Sequence, residues 1–211
     1  MLAGRPVARI GYGAMQLPGP GVLGPPRDRA AALALLRRAV ELGVNHIDTA
    51  QYYGPDVANE LIHAALHPYP EDLVLVTKVG AERDRQGRWI SAQRPHELRA
   101  GVEANLRSLE VERIDVVNLR LAGDGAPGVD LDSQLAEMIA LRAEGKIGGI
   151  GISSVSLASF ARLSRPASHA SRTHTTSSIG QTNRCSNSAA RTTSPGCLTS
   201  PLDRPSRGQR R

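Results

Sequence analysis

Polar and titratable side chains stand at the ends of successive apolar segments of this sequence. The residues at these positions are Asp48, Lys78, Arg120, Ser153 and Ser154, and Tyr53 follows shortly after the first of them. In a barrel of parallel strands, the active site forms where the strands end and the following loops begin. We therefore expect these side chains to converge at one end of such a barrel.

Tyr53, Lys78 and Asp48 carry the functional groups of an acid and of the charges that support it. A phenol has an ordinary pKa of about 10 and is a poor acid at neutral pH. A neighbouring ammonium group lowers the pKa of a phenol, which makes proton donation easier. A carboxylate beside the lysine keeps the amine charged and fixes its position. This combination suits proton delivery to a carbonyl oxygen while a cofactor supplies hydride.

Each of these residues also has an ordinary structural interpretation. Asp48-Thr49 after a strand is common in turns and at the start of helices. Tyr53-Gly54-Pro55 is typical of a surface turn, and Lys78 at a strand end can form a simple salt bridge. The two adjacent serines are uninformative when taken alone. Only the joint placement of these residues at successive strand ends favours catalysis.

The sequence between residues 27 and 163 alternates helix-like with strand-like segments. Its apolar spacing predicts helices at residues 27–42, 55–66, 95–109, 131–143 and 157–163. It predicts strands at residues 44–48, 73–77, 114–119 and 149–152, with an additional strand at 9–15. This alternation is typical of parallel strands joined by crossover helices. It does not separate a doubly wound sheet from a (β/α)8 barrel, although no G-x-G-x-x-G motif follows the first strand.

The positive charge of the chain is confined to its C-terminal part. The whole chain has a net charge of +6, whereas residues 163–211 carry +7 and residues 1–162 carry −1. Residues 164–211 are rich in Ser, Thr and Arg and show no apolar period, which predicts a disordered tail after a domain at 1–163. Because this tail has no aromatic residues for base stacking, nucleic-acid binding through it is the less favoured function.

The apolar segments are too short to span a bilayer. The longest uninterrupted one, residues 30–36, has far fewer than the 20 or so residues that a membrane helix needs. The N-terminus lacks the apolar region of a signal peptide. Cys185 and Cys197 have no close-spaced partners, which gives no indication of a metal site or a disulfide framework. We therefore expect a cytoplasmic protein that binds neither membrane nor metal.

Several segments carry recognisable motifs in a fixed order. Residues 48–54 read DTAQYYG, and further segments read NELIHAAL, TKVG, LRSL, IDVVNL and GKIGGIGIS, at residues 59–66, 77–80, 106–109, 114–119 and 145–153. In type and order they resemble the D-T-A-x-x-Y-G, N-E-x-x-x-x-A-L, T-K, L-x-x-S-L, D-x-x-x-x-H and G-K-I-R-x-I-G-V-S-N segments of the aldo/keto reductases. Residues 10–15 are similar to the first strand of that family. The resemblance ends near residue 163.

The resemblance implies a (β/α)8 barrel that binds NADPH and reduces small aldehydes or ketones. It implies that Tyr53 donates the proton, with Lys78 and Asp48 as its partners. It further implies that Asp48, Ser153 and Ser154 bind the cofactor, with Ser153 at its nicotinamide end. Two positions depart from the family pattern, since Arg120 stands where the family usually has His and Ser154 where it has Asn. A guanidinium donates hydrogen bonds but cannot shuttle a proton.

The resemblance covers about five of the eight βα units of a barrel. A complete barrel of this type takes about 250 residues. We therefore expect an incomplete barrel whose C-terminal part is lost or out of frame, and inspection of the gene in its other frames tests this hypothesis. Exposed sheet edges predict self-association. They also predict an unstable chain with little reductase activity, and the alternative function is an inactive fragment or pseudoenzyme of the family.

Overall fold

Five parallel strands form the sheet that carries the candidate site. The computed structural model describes residues 1–121 and 129–155, with the strands β1 (Tyr12–Gly13), β2 (His46–Asp48), β3 (Val74–Val79), β4 (Ala81–Arg83), β5 (Trp89–Ser91), β6 (Ile114–Arg120) and β7 (Ile147–Ser153). The order in the sheet is β1-β2-β3-β6-β7, and every neighbouring pair is parallel. The sheet thus follows the order of the chain, whereas a doubly wound sheet reverses its order at a switch point.

Four helices connect these strands, at α1 (Arg29–Glu41), α2 (Val57–Leu66), α3 (Pro95–Leu109) and α4 (Leu131–Ala143). The predicted bounds of α3 and α4 are confirmed, and those of α1 and α2 differ by two residues or fewer at each end. Aspartate side chains cap α1 and α4, where Asp28 and Asp130 accept hydrogen bonds from backbone N–H groups of the first turn. The predicted helix at 157–163 and the predicted tail at 164–211 lie outside the described residues.

The two faces of the sheet have different neighbours. Val117 and Leu119 of β6 form one buried cluster with Leu98 of α3 and Met138 of α4. Ile47 of β2 belongs to a second cluster that includes side chains of α1 and α2. Because alternate residues of a strand face opposite sides, all four helices cover the same face of the sheet. This one-sided cover is the arrangement of a barrel and not of a doubly wound sheet, so the predicted (β/α)8 class is confirmed for the described part.

The opposite face is the interior of the barrel. Val76 and Val116 form a buried apolar cluster there, packed against side chains of the N-terminal segment. Lys78 and Arg120 lie further along the same strands at even spacing and therefore share this face. The interior is thus apolar at the amino end of the strands and polar at their carboxyl end.

A hairpin that the sequence pattern did not predict follows β3. Strands β4 and β5 pair with each other in antiparallel register, at a place where we expected a loop. Asp84 Oδ1 accepts hydrogen bonds from the backbone N–H groups of Gln86 and Arg88, and Gly87 has a positive φ of 77°. The hairpin residues are partly or fully exposed, so they lack the apolar periodicity on which strand prediction depends.

Truncation of a core side chain on α3 should destabilise the fold. Leu98 is completely buried between α3 and the sheet. We expect Leu98→Ala to lower the free energy of unfolding by about 2–5 kcal/mol, because it removes apolar contacts and leaves a cavity. Urea denaturation followed by circular dichroism measures this change. The control is Leu35→Ala on α1, where the side chain is 51% exposed and the loss should be small. Equal losses in the two variants would contradict the assignment of the core.

A cluster of charges on the surface joins α3 to α4. Arg99 donates hydrogen bonds to Glu137 at 2.6 Å and to Glu144 at 2.7 Å, and Lys146 contacts Glu103 at 2.8 Å. The hydrogen bond from Arg99, supported by one from Lys146, lowers the pKa of Glu144 from its ordinary 4.5 to about 2. A carboxyl group with a lowered pKa stabilises the folded state above its ordinary pKa. This contribution is lost as the pH falls from 4.5 toward 2.

Removal of the Glu144 charge should therefore change the acid sensitivity of the protein. We expect Glu144→Gln to lower Tm at neutral pH by about 2 °C, because the group is partly exposed and its ion pairs are screened. The same variant should lose less stability than the parent between pH 4.5 and about 2. Thermal scans across this range provide the measurement, with the exposed Glu112→Gln as control. An unaltered acid profile in Glu144→Gln would argue against this ion pair.

Candidate active site

An ion pair joins the carboxyl ends of two neighbouring strands. Lys78 Nζ donates hydrogen bonds to both carboxylate oxygens of Asp48 at 2.7 Å and to the backbone oxygen of Thr49 at 3.2 Å. The Lys78 side chain is only 12% exposed, whereas that of Asp48 is 42% exposed. The pairing of β2 with β3 places the two residues near the same end of the sheet. The ammonium group is therefore held at a fixed point just inside the barrel rim.

Tyr53 lies beside this ion pair. Its side chain is 4% exposed, and Lys78 Nζ is 5.1 Å from the centroid of the phenol ring. The turn that carries it depends on Gly54, which has a φ of 97°, and a Cβ there would lie 2.5 Å from Val57 Cβ. Glycine fits this position because it has no Cβ and adopts a positive φ without strain. The structure places Tyr53, Lys78 and Asp48 next to one another.

The turn is tied to an N-terminal loop and, through it, to the hairpin. Backbone hydrogen bonds join Gly54 to Val22 and Gly24, at 3.1 and 3.2 Å. Arg83 of β4 donates to the backbone oxygen of Gly21 at 3.1 Å. The Tyr53 turn, residues 19–24 and the β4–β5 hairpin therefore form one connected wall at the carboxyl end of the sheet.

Tyr52 is a second phenol in this wall, which sequence reasoning did not select. Its ring is 2% exposed and stands perpendicular to the ring of Tyr53, with the centroids 5.4 Å apart. The hydroxyl oxygen is buried and lies near the Arg120 guanidinium. Burial raises the pKa of Tyr52, aided by the neighbouring Tyr53 and opposed by the charge of Arg120. Burial therefore disfavours loss of the proton from Tyr52.

Arg120 and Trp89 face each other across the mouth. The Arg120 guanidinium carbon is 5.9 Å from the centroid of the Trp89 ring, whose edge also contacts Tyr52 at a centroid distance of 5.2 Å. On the hairpin itself, the Arg83 guanidinium stacks on the same indole at 3.5 Å. Trp89 remains 46% exposed. An aromatic surface beside a cation therefore borders the site. The sequence pattern did not predict Trp89 at this position, because apolar periodicity does not show where a hairpin folds.

The two serines at the end of β7 differ in their surroundings. Ser153 pairs in register with Arg120, and its hydroxyl is buried with no hydrogen-bond partner among residues 1–121 and 129–155. Ser154 is exposed and has a left-handed φ of 56°. A buried hydroxyl without a partner costs free energy unless a ligand satisfies it. Ser153 therefore fits a cofactor amide better than Ser154 does.

Asn118 is a further polar residue of the interior face that the sequence reasoning passed over. It lies in register between Lys78 on β3 and Gly151 on β7. A Cβ on Gly151 would collide with Asn118 Oδ1. The glycine thus makes room for this amide one layer below the rim. Its even spacing from Arg120 along β6 is the signal that could have identified it.

Comparisons with known proteins agree with this geometry. The sequence model of the Aldo/keto reductase family matches residues 9–183, continuing beyond the predicted domain end at 163. Pyridoxine 4-dehydrogenase of Escherichia coli is 48% identical over 157 residues, which cover 73% of this chain and 55% of that protein. The chain thus spans about half the length of the curated relatives that it matches.

Solved structures give the same result. Glycerol dehydrogenase from Gluconobacter oxydans superimposes with a TM-score of 0.65 and 28% identity, over 75% of this chain and 48% of that one. An aldo-keto reductase from Klebsiella pneumoniae, solved in complex with NADPH, gives a TM-score of 0.57 and 25% identity, over 74% and 49% of the two chains. In the described part of the chain, no helix has the length and apolarity to cross a membrane. On the combined evidence of family motifs, strand order and relatives, the chain belongs to the aldo/keto reductase family of oxidoreductases.

Proposed function

We propose that the chain is a cytoplasmic NADPH-dependent reductase that converts aldehydes or ketones to alcohols. The observation that supports this most directly is the Lys78 ammonium, held between the Asp48 carboxylate and the Tyr53 ring. NADPH, when bound, supplies the hydride that the carbonyl carbon receives. Tyr53 supplies the proton that the carbonyl oxygen receives, so that the product is an alcohol. Solvent then returns a proton to the phenolate.

The neighbouring charges assign a role to each group in this proton transfer. The Lys78 ammonium stabilises the negative charge that Tyr53 acquires as its proton leaves. Asp48 keeps that ammonium in place through two hydrogen bonds. Arg120 donates a hydrogen bond toward the carbonyl group in place of the imidazole that is usual in the family. Burial raises the pKa of the Tyr52 phenol, which argues against Tyr52 as the donor.

The buried Ser153 hydroxyl supports the cofactor assignment. In the described part of the chain this hydroxyl has no hydrogen-bond partner, and a carboxamide at the end of β7 could accept its hydrogen bond. We propose that Ser153 holds the nicotinamide carboxamide, with Ser154 and Asp48 lying nearby. The relative from Klebsiella pneumoniae was solved with NADPH, which favours the same cofactor here.

A flat aldehyde suits the mouth of the site. The exposed Trp89 ring offers a stacking surface, and the Arg120 cation lies within 5.9 Å of it. The Escherichia coli relative, at 48% identity, is a pyridoxine 4-dehydrogenase. We therefore propose pyridoxal, an aldehyde on a pyridine ring, as the first substrate to test.

One experiment tests this function against an alternative. The alternative is a fragment that binds NADPH without turnover, and it is favoured by the 55% coverage of the Escherichia coli relative. NADPH binding is followed by quenching of Trp89, the single tryptophan of the chain, and turnover by NADPH oxidation with pyridoxal. Oxidation above the rate without enzyme supports the reductase. Quenching without oxidation supports the fragment, and absence of both overturns the two proposals.

The sheet edges suggest how copies of the chain interact. Strands β1 and β7 are the outer strands of the five-stranded sheet in the described residues. Outer strands present unpaired backbone groups that can pair with another chain. We therefore propose self-association, which light scattering over a concentration series measures. A mass that stays monomeric at high concentration would contradict it.

A further inference from the structure

A chain of buried polar side chains lies directly behind the ion pair. Thr49 follows Asp48, and Thr77 precedes Lys78, so each threonine faces the helices while its neighbour faces the barrel interior. Both threonines are completely buried. Two helix residues, Asn59 of α2 and Asn105 of α3, lie opposite them and are also completely buried.

Hydrogen bonds connect these four side chains into one network. Thr49 Oγ1 donates to Asn59 Oδ1 at 2.8 Å, and Thr77 Oγ1 donates to Asn105 Oδ1 at 2.6 Å. Asn59 Nδ2 links the two halves by donating to Asn105 Oδ1 at 3.0 Å, and it also donates to Ser108 Oγ at 2.9 Å. The network therefore joins the ends of β2 and β3 to two helices and to each other.

Apolar residues would fill the same space without the cost of burying polar groups. A satisfied network of this kind gives directional contacts, which fix the positions of its members more narrowly than apolar packing does. Thr49 provides one contact between the network and the ion pair. Its side chain belongs to the network, while its backbone oxygen accepts a hydrogen bond from Lys78 Nζ at 3.2 Å. The position of Thr49 thus bears directly on the position of the ammonium group.

We propose that Thr77, held by Asn105 and through it by Asn59, is a positioning residue for the reaction. Together with Thr49, it keeps the Lys78 ammonium against Asp48 and beside Tyr53. This inference rests on the proposed function for its effect on turnover. Its effect on the accessibility of Lys78 does not depend on any activity.

The lysine content of the chain provides a direct measurement. Lys78 and Lys146 are the only lysines, so acylation of each by a small N-hydroxysuccinimide ester can be followed separately by mass spectrometry. Lys78 is 12% exposed and held by Asp48, whereas Lys146 lies on the surface at 30% exposure and serves as internal standard. Thr77→Val removes the hydroxyl at constant shape, and Thr77→Ser retains it. We expect Thr77→Val to raise the acylation rate of Lys78 relative to Lys146 by about tenfold. In Thr77→Ser this ratio should equal that of the parent chain.

A control separates positioning from loss of stability. Tyr69→Phe removes a hydrogen bond to the backbone oxygen of Leu109, at 2.7 Å, away from the site. In Thr77→Val we expect kcat to fall about tenfold with KM for NADPH nearly unchanged, an effect that Tyr69→Phe should not produce at a similar Tm. Unchanged acylation of Lys78 in Thr77→Val, or an equal rise in Tyr69→Phe, would overturn the proposal. If no aldehyde is reduced at all, the proposed function fails, while the acylation result still decides whether the network positions Lys78.

Discussion

Replacing Tyr53 by phenylalanine is expected to lower kcat by about 10²–10⁴-fold, the range that loss of a positioned general acid produces. The variant removes only the hydroxyl, so the buried ring and its contact with Tyr52 remain. NADPH should therefore quench Trp89 as in the parent chain. Stopped-flow or steady-state measurement of NADPH oxidation, at saturating NADPH and pyridoxal, gives kcat directly.

The adjacent phenol provides a matched control for this variant. Tyr52→Phe makes the same chemical change one residue away, in a side chain whose pKa burial raises. Because burial disfavours proton loss from Tyr52, removal of its hydroxyl should cost less than about tenfold in kcat. A larger loss of kcat in Tyr52→Phe than in Tyr53→Phe would show that our proposal assigns the proton donor to the wrong tyrosine.

Replacing Lys78 by methionine should lower kcat by about 10²-fold or more. The side chain keeps its length but loses the ammonium group, which lies 5.1 Å from the centroid of the Tyr53 ring and stabilises the phenolate in the proposed mechanism. It also leaves the Asp48 carboxylate without its two hydrogen bonds, which adds a repulsive charge near the developing anion. The pH dependence of kcat/KM should change as well, since a neighbour of the acid has been removed.

Two further variants test the origin of this effect. Lys146→Met removes the other lysine, which pairs with Glu103 on the surface, and should leave kcat unaltered. Asp48→Asn combined with Lys78→Met should cost less than the two single losses added together, because the residues act as one unit. Full additivity would show that Asp48 and Lys78 act independently, against the proposed mechanism.

The fold was predictable wherever burial imposed a period on the sequence. The stripe of Leu98, Val102 and Leu109 gave the bounds of α3, because those side chains are completely buried against the sheet. The choice between a barrel and a doubly wound sheet was not predictable from the pattern. That choice depends on which strands pair, and pairing between distant segments leaves no periodic trace in the sequence.

Part of the site was predictable from the order of the strands, whereas the residues that the hairpin and a turn bring to it were not. Asp48 and Lys78 meet because parallel strands bring their carboxyl ends to one edge, a rule that needs no coordinates. Trp89 and Tyr52 were not foreseen in the mouth, since their positions depend on how the hairpin and a turn fold over that edge. Asn59 stands in the N-E-x-x-x-x-A-L motif, but the burial of its amide and that of Asn105 could not be predicted, since a polar residue on a helix is usually exposed.

The wall formed by the Tyr53 turn, residues 19–24 and the β4–β5 hairpin has a practical consequence for protein engineering. A library that randomises the hairpin to admit bulkier molecules will also disturb Gly21 and Val22, because Arg83 is bonded to their backbone oxygens. Those residues are linked in turn to Gly54, next to Tyr53, the proposed proton donor. Broader selectivity obtained there should therefore come with slower catalysis, unless Arg83 is kept constant during the selection.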